Sequence, residues 1–191
     1  MTGTSSAEPE AIFNREAESR GWPTRADSTC SFQNRNLTAL AALWAAKAAH
    51  SLPKRRDFTA RDLKHLLPDL LIVEYVPQTN GRSRLRVRYV GSSLAMVLGD
   101  LTGRFMDESI PSDLYPRWQS ALAAAESAGR PMRFIGRIDL YQQQYLTTEA
   151  FAVRLAPEAD GPAMAMAAFR FHSTVQPDGT ADREWDFSRF A

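Results

Sequence analysis

Catalysis by side chains needs a nucleophile beside a base, two carboxylates across a gap, or a cluster of metal ligands. The chain of 191 residues holds three histidines, His50, His65 and His172, whose spacing fits no zinc pattern. Its single cysteine, Cys30, has no histidine near it and excludes an intramolecular disulfide, so an incidental thiol is the simplest reading. The carboxylates Glu74 and Glu149 each stand alone on a strand-like stretch, where a glutamate is ordinarily salt-bridged or solvated. Phosphate-loop, zinc-protease and dinucleotide signatures are missing from the sequence. These residues point away from an enzyme and towards a protein that binds. One catalytic alternative stays open, an isomerase or dehydratase of the α+β cone type with Glu149 as its base.

Charge narrows the partners. Lys and Arg number 23 against 22 Asp and Glu, a formal net charge of +1, which gives no case for nucleic acid or an anionic membrane. Arg82, Arg84, Arg86 and Arg88 share one side of an alternating stretch, and the simplest reading is a solvated sheet face. The longest apolar-rich run, Leu37 to Ala49, is too short to span a bilayer, and the first thirty residues carry no apolar signal-peptide core. A cytoplasmic protein is expected.

These groups are positioned by elements that the pattern of apolar residues defines. Residues 82–90 alternate, with Leu85, Val87 and Tyr89 opposite the arginines, as a half-buried strand does. Gly91 breaks it, and Ser92 or Ser93 opens a short helix carrying Leu94, Val97 and Leu98 on one face. Leu70–Val76 is an apolar run suited to a central strand. Residues 36–50 form a helix with Leu37, Leu40, Leu43 and Trp44 in one stripe, ended by Pro53. Thr59 and Asp62 make a capping box for the next short helix, with Phe58 and Leu63 at staple positions. Ser112 or Asp113 caps a longer helix to Ala128, whose stripe is Leu114, Trp118, Ala121, Leu122 and Ala125. Strands follow at 132–140, 145–155 and 163–171. Two strands, helices, then three strands give an α+β fold with a five-stranded antiparallel sheet.

The text V-G-S-S-L-x-x-x-L-G-D-L-T-G-R from Val90 to Arg104 carries a resemblance. With Trp44 on a leading helix, Leu52-Pro53-Lys54-Arg55-Arg56-Asp57-Phe58 and Leu66-Leu67-Pro68-Asp69-Leu70, it is similar to a bacterial PAS family of mostly short, single-domain proteins. The resemblance covers about residues 36–173. It implies the strand order B-A-I-H-G and a domain over 36–173 that includes the leading helix 36–50. A flexible segment, 1–35, precedes it, and a tail, 174–191, follows, in which Trp185, Phe187 and Phe190 are read as docking back on the domain. The alternative for the first segment is an arm that docks through Ile12, Phe13 and Trp22.

The resemblance also implies a cavity between sheet and long helix. No histidine falls in 112–128 and Cys30 lies outside the domain, which argues against haem and flavin; no cofactor or metal is expected. Gly136, Ala165 and Ala167 beside Phe134, Phe151 and Trp118 would leave room for a small organic ligand, unless Met164 and Met166 fill it. The lining expected is Tyr89, Trp118, Phe134, Tyr145, Thr147, Glu149, Phe151, Ala167 and Phe169, with Tyr89, Tyr145, Thr147 and Glu149 as polar contacts. In place of catalysis, the resemblance implies a sensory or regulatory protein acting by contact with an unknown partner, or chiefly as a small-molecule receptor. Homodimerisation would use Leu37, Leu40, Leu43 and Trp44.

Overall fold

Strands β2 (Leu70–Pro77) and β3 (Ser83–Val90) form a hairpin, and the apolar run of β2 makes it an inner strand. In the computed structural model, which describes residues 8–138, 146–159 and 161–173, β2 also pairs with β6 (Met164–Ser173). β6 pairs with β5 (Leu146–Leu155), β5 with β4 (Met132–Ile138), and β4 with a short strand β1 (Thr24–Asp27). The order is β1-β4-β5-β6-β2-β3, antiparallel throughout. This is the expected order B-A-I-H-G read from the other edge, with a sixth strand added beside β4.

Two layers of helix cover the two faces. On the inner face lie α4 (Ser92–Leu98), α5 (Met106–Ser109) and α6 (Tyr115–Ala128), with Leu94, Met106, Leu122 and Ala125 packed on Leu71, Val73, Leu85 and Val87. On the outer face lie α2 (Arg35–Lys47) and α3 (Ala60–Leu63), with Leu37, Leu40, Trp44 and Leu63 packed on Phe151, Val153, Leu155 and Met166. The capping box of α3 forms as its sequence predicts: the Thr59 hydroxyl accepts from the Asp62 N–H, and the Asp62 carboxylate from the Thr59 N–H.

Residues 8–35 depart from the flexible lead-in. Helix α1 (Glu8–Ser19) buries Phe13 and Ala17 in the inner core, where Phe13 meets Phe134 edge-on at 5.0 Å. Strand β1 follows, and its open edge is sealed: the Asn14 amide accepts from the Ala26 N–H at 2.7 Å and donates to the Ala26 carbonyl at 3.1 Å. One side chain thus stands in for a neighbouring strand and blunts an edge that would otherwise recruit another chain. Gly136 makes this docking feasible, since a Cβ there would sit 2.4 Å from the Pro23 carbonyl oxygen. The burial of Phe13 supplies the free energy that orders a segment whose composition alone suggests disorder.

Two predicted helix starts move. Gly91, not Ser92 or Ser93, is the N-cap of α4, because the backbone of Leu67 and Pro68 crosses where its Cβ would be, 2.2 Å from the Leu67 oxygen. Helix α6 begins at Tyr115 with Pro116 in its first turn, so Ser112 and Asp113 belong to the preceding turn. The 139–145 segment, including Tyr145, and the aromatic tail 174–191 lie outside the described residues.

Candidate functional site

The inner face of the sheet is paved with small side chains. Ala150 and Ala152 of β5 and Ala165 and Ala167 of β6 point towards α4 and α6. Alanines opposite helices leave space that leucines would fill. A cavity of about 70 Å³ results, walled by Leu94, Leu98, Leu122 and Phe134 and floored by Ala150, Ala152 and Ala167. Its outer wall is aromatic: Trp118 stacks on Phe169 at 4.9 Å with 18° between planes, and Phe169 lies nearly parallel to Phe171 at 6.4 Å.

Of the expected lining, Trp118, Phe134, Phe151, Ala167 and Phe169 do border this cavity. Phe151 is shared with the outer core, where its ring packs against Phe32 at 5.9 Å. Tyr89, Thr147 and Glu149 do not reach it. Thr147, Glu149, Phe151 and Val153 share one face, as alternation predicts, but that face is the outer one. Tyr89 is turned by a register shift: Ile72 pairs with Tyr89 and Val73 with Val87, so Arg88 is an extra residue and the alternation slips. Its hydroxyl donates to the Leu67 carbonyl at 3.1 Å, within the outer core. Met166 also packs outward and leaves the cavity unfilled.

The polar residues at the cavity are others. Thr24 of β1, Thr148 of β5 and Arg117 of α6 border it. The Thr148 hydroxyl oxygen is buried and hydrogen-bonded to nothing in the fold. Arg117 is buried, and one of its guanidinium nitrogens donates to the Arg137 carbonyl at 3.4 Å. No pattern in the sequence marks Thr24, because its place depends on the docking of β1. Thr148 follows from alternation once the inner face is known.

The outer face carries the charge. Glu149 is fully buried, and its carboxylate accepts from the N–H groups of Gln33 and Asn34, both at 2.9 Å, and from Arg133 Nε at 2.6 Å. Arg133 also donates to Asp27 at 2.9 Å. Burial alone would raise the Asp27 pKa, but bonds from Thr29 and Arg133 outweigh it and hold the carboxyl below its ordinary value. Asp69 shows the reverse balance: burial pushes its pKa up although Arg170 lies 2.9 Å away. Glu74 is buried between Arg86, with which it makes a short contact, and Arg88 at 3.5 Å. Arg84 pairs with Asp107 and Glu108 and lies over the Phe105 ring. Arg84, Arg86 and Arg88 of the row are therefore ion-paired, while Arg82 and Arg88 are exposed, as expected of a solvated face.

A Glu149 carboxylate held by three donors and directed away from the cavity does not fit the role of a general base for a ligand there. Among the described residues, no group of three or more His, Cys, Asp or Glu could hold a metal ion. Leu37, Leu40 and Trp44, expected at a dimer surface, are buried against β5 and β6 of the same chain, with Leu43 packed beside them. Among the described residues, no helix is long and apolar enough to cross a membrane.

The family model described as PAS domain matches residues 32–161, more than half of the chain. The match spans α2 through β5 and leaves out α1, β1 and β6. No curated protein matches.

Proposed function

The chain belongs to the PAS domain family, whose general role is sensory or regulatory, and from that premise we propose that it is a cytoplasmic, non-enzymatic module. Its input site is the inner cavity, and its output is read by contact at α2. The observation that carries this reading lies on one strand. Thr148, Ala150 and Ala152 of β5 face the cavity, while Glu149 between them holds the approach to α2 through Gln33 and Asn34. A molecule that shifts β5 by a fraction of an ångström therefore acts on two backbone hydrogen bonds at the far side of the sheet. Small displacements of packed layers are the usual coin of such coupling.

Native mass spectrometry of protein purified without denaturant, followed by amide exchange at Gln33 and Asn34 before and after removal of any adduct, tests the reading. A stoichiometric adduct whose removal changes exchange at those two amides supports it. An adduct that leaves both amides unchanged would sever input from output.

A homodimer is the assembly we propose, formed by the other side of the same helix. With Leu37, Leu40 and Trp44 turned inward, α2 presents Ala39, Ala42 and Ala46 to solvent. Side chains this small permit a second helix to approach closely. Light scattering should then report a dimer that Ala42→Arg converts to monomer. A monomer at high micromolar concentration in the unsubstituted protein rejects the assembly.

A further inference from the structure

The cavity's chemistry restricts what can enter it, and this inference rests on the reading of that cavity as the input site. Its walls are mostly leucines, alanines and aromatic rings, with Thr24, Thr148 and Arg117 at its border, and Arg117 donates to the Arg137 carbonyl. Every carboxylate of β5 and β2 points the other way, into the ion pairs of the outer face. At about 70 Å³ the space exceeds the share of a single water in the liquid, yet it offers few of the two to four polar partners that a buried water needs. It falls well below the 300–1,000 Å³ of sites for drug-sized ligands and is about half the ~150 Å³ of an apolar cavity that holds benzene, so a single ring fits only with an outward shift of the half-buried Trp118 and Phe169.

Two features give the apolar space a direction. The rings of Trp118, Phe169 and Phe171 lie nearly parallel, with Trp118 stacked on Phe169, and a flat ring entering beside them meets this stack in offset-stacked or edge-on contact. Across the floor, the Thr148 hydroxyl is a buried polar group without a hydrogen-bond partner in the fold. A buried hydroxyl left unbonded is costly, and a ligand group that bonds to it recovers that cost on binding.

We propose that the cavity binds a small, uncharged monocyclic arene carrying one hydrogen-bonding group, its ring against Trp118 and Phe169 and its polar group on the Thr148 hydroxyl. Trp118 and Phe169 are half-buried, which places the point of entry at the aromatic end. No covalent step is involved. Recognition consists of apolar burial plus one hydrogen bond.

Phenol, toluene and benzoate serve as probes, titrated into the full chain with Trp fluorescence and thermal shift as readouts. Phenol and toluene should both bind saturably to the unsubstituted protein. Thr148→Val preserves the shape of the side chain and removes the hydroxyl. It should weaken phenol about five- to tenfold, the worth of one hydrogen bond, and leave toluene unchanged or slightly tighter. Ala150→Phe fills the floor and should abolish both, and an unchanged far-UV spectrum shows that this variant folds.

Equal effects of Thr148→Val on phenol and toluene would overturn the assigned role of the hydroxyl. Benzoate binding tighter than phenol, and lost in Arg117→Met, would overturn the uncharged class in favour of a carboxylate. Failure of all three probes, with a native adduct of other chemistry present, overturns the ligand class and leaves the input-site reading standing. Probe binding that survives Ala150→Phe unchanged overturns both.

Discussion

The two faces of one sheet solve opposite problems with the same alternating strands. On β5 the even-numbered residues Thr148, Ala150 and Ala152 face inward and are small; the odd-numbered Thr147, Glu149, Phe151 and Val153 face outward, and among them Phe151 is large and Glu149 charged. The inner layer consequently keeps a cavity. The outer layer is filled by α2, and its buried charges are matched by partners: Glu149 with Arg133, Asp69 with Arg170, Glu74 with Arg86. The difference teaches that burial by itself does not identify a site. The most deeply buried acid among the described residues acts as a fastener, whereas the binding space is marked by alanines.

The sharpest way to break this contrast is to remove a fastener. Glu149→Ala leaves Arg133, 3% exposed, without its closest counter-charge and frees the Gln33 and Asn34 N–H groups. Loss of one partner from a buried pair costs about 3–5 kcal/mol. Chemical denaturation should show a loss of that order, with α2 the first element to exchange its amides. A loss under about 1 kcal/mol would mean that Glu149 is not what ties α2 to the sheet.

Next in size is a matched pair of enlargements. Ala168 is fully buried in the outer core, so Ala168→Leu should cost about 1–3 kcal/mol through overpacking. Ala150→Leu on the inner face grows into existing space and should be neutral or stabilising. Equal costs at the two positions would mean that the inner space is not available to side chains. Thr148→Val is a finer version of the same test: replacing an unbonded buried hydroxyl by a methyl group should raise stability by about 1 kcal/mol, read as a higher denaturation midpoint.

Much of this architecture was legible in the sequence, and the failures have identifiable causes. Period-two alternation places Phe134 with Gly136, and Ala165 and Ala167 with Phe169 and Phe171, and the inner core holds Phe134, Ala165, Ala167, Phe169 and Phe171. The same alternation also grouped Thr147 and Glu149 with Phe151. Period two says which residues share a face, but not which layer that face meets. Glutamate and threonine were therefore placed at the cavity when they lie behind it. Tyr89 was misplaced for a local reason, the extra residue at Arg88, which no hydrophobic pattern announces. The stripe Leu37, Leu40 and Trp44 was correct as a stripe and incomplete as an argument, because a buried stripe serves an intramolecular sheet as well as a second copy. Residues 8–27 were the hardest to read. Their order rests on long-range partners, with Phe13 against Phe134 and Asn14 against Ala26 of β1, and no local composition encodes such contacts.

The smallest expected effect lies at the sheet's edge, where ion pairs meet solvent and should matter least. Arg84 and Asp107 are about 30% exposed, unlike Arg133 and Glu149, and exposed pairs contribute little. The two hydrogen bonds from Arg84 nevertheless hold the Asp107 carboxyl below its ordinary range, with burial opposing them. A carboxyl with a lowered pKa in the folded state adds stability that is complete above its unfolded value and lost as pH falls through the folded one. Arg84→Met should therefore lower the melting temperature by about 2 °C or less near pH 7, and the difference should shrink towards zero as pH drops below the ordinary aspartate range. A difference that persists unchanged at pH 2–3 would assign the contribution of Arg84 to its packing over Phe105 and not to the charge pair.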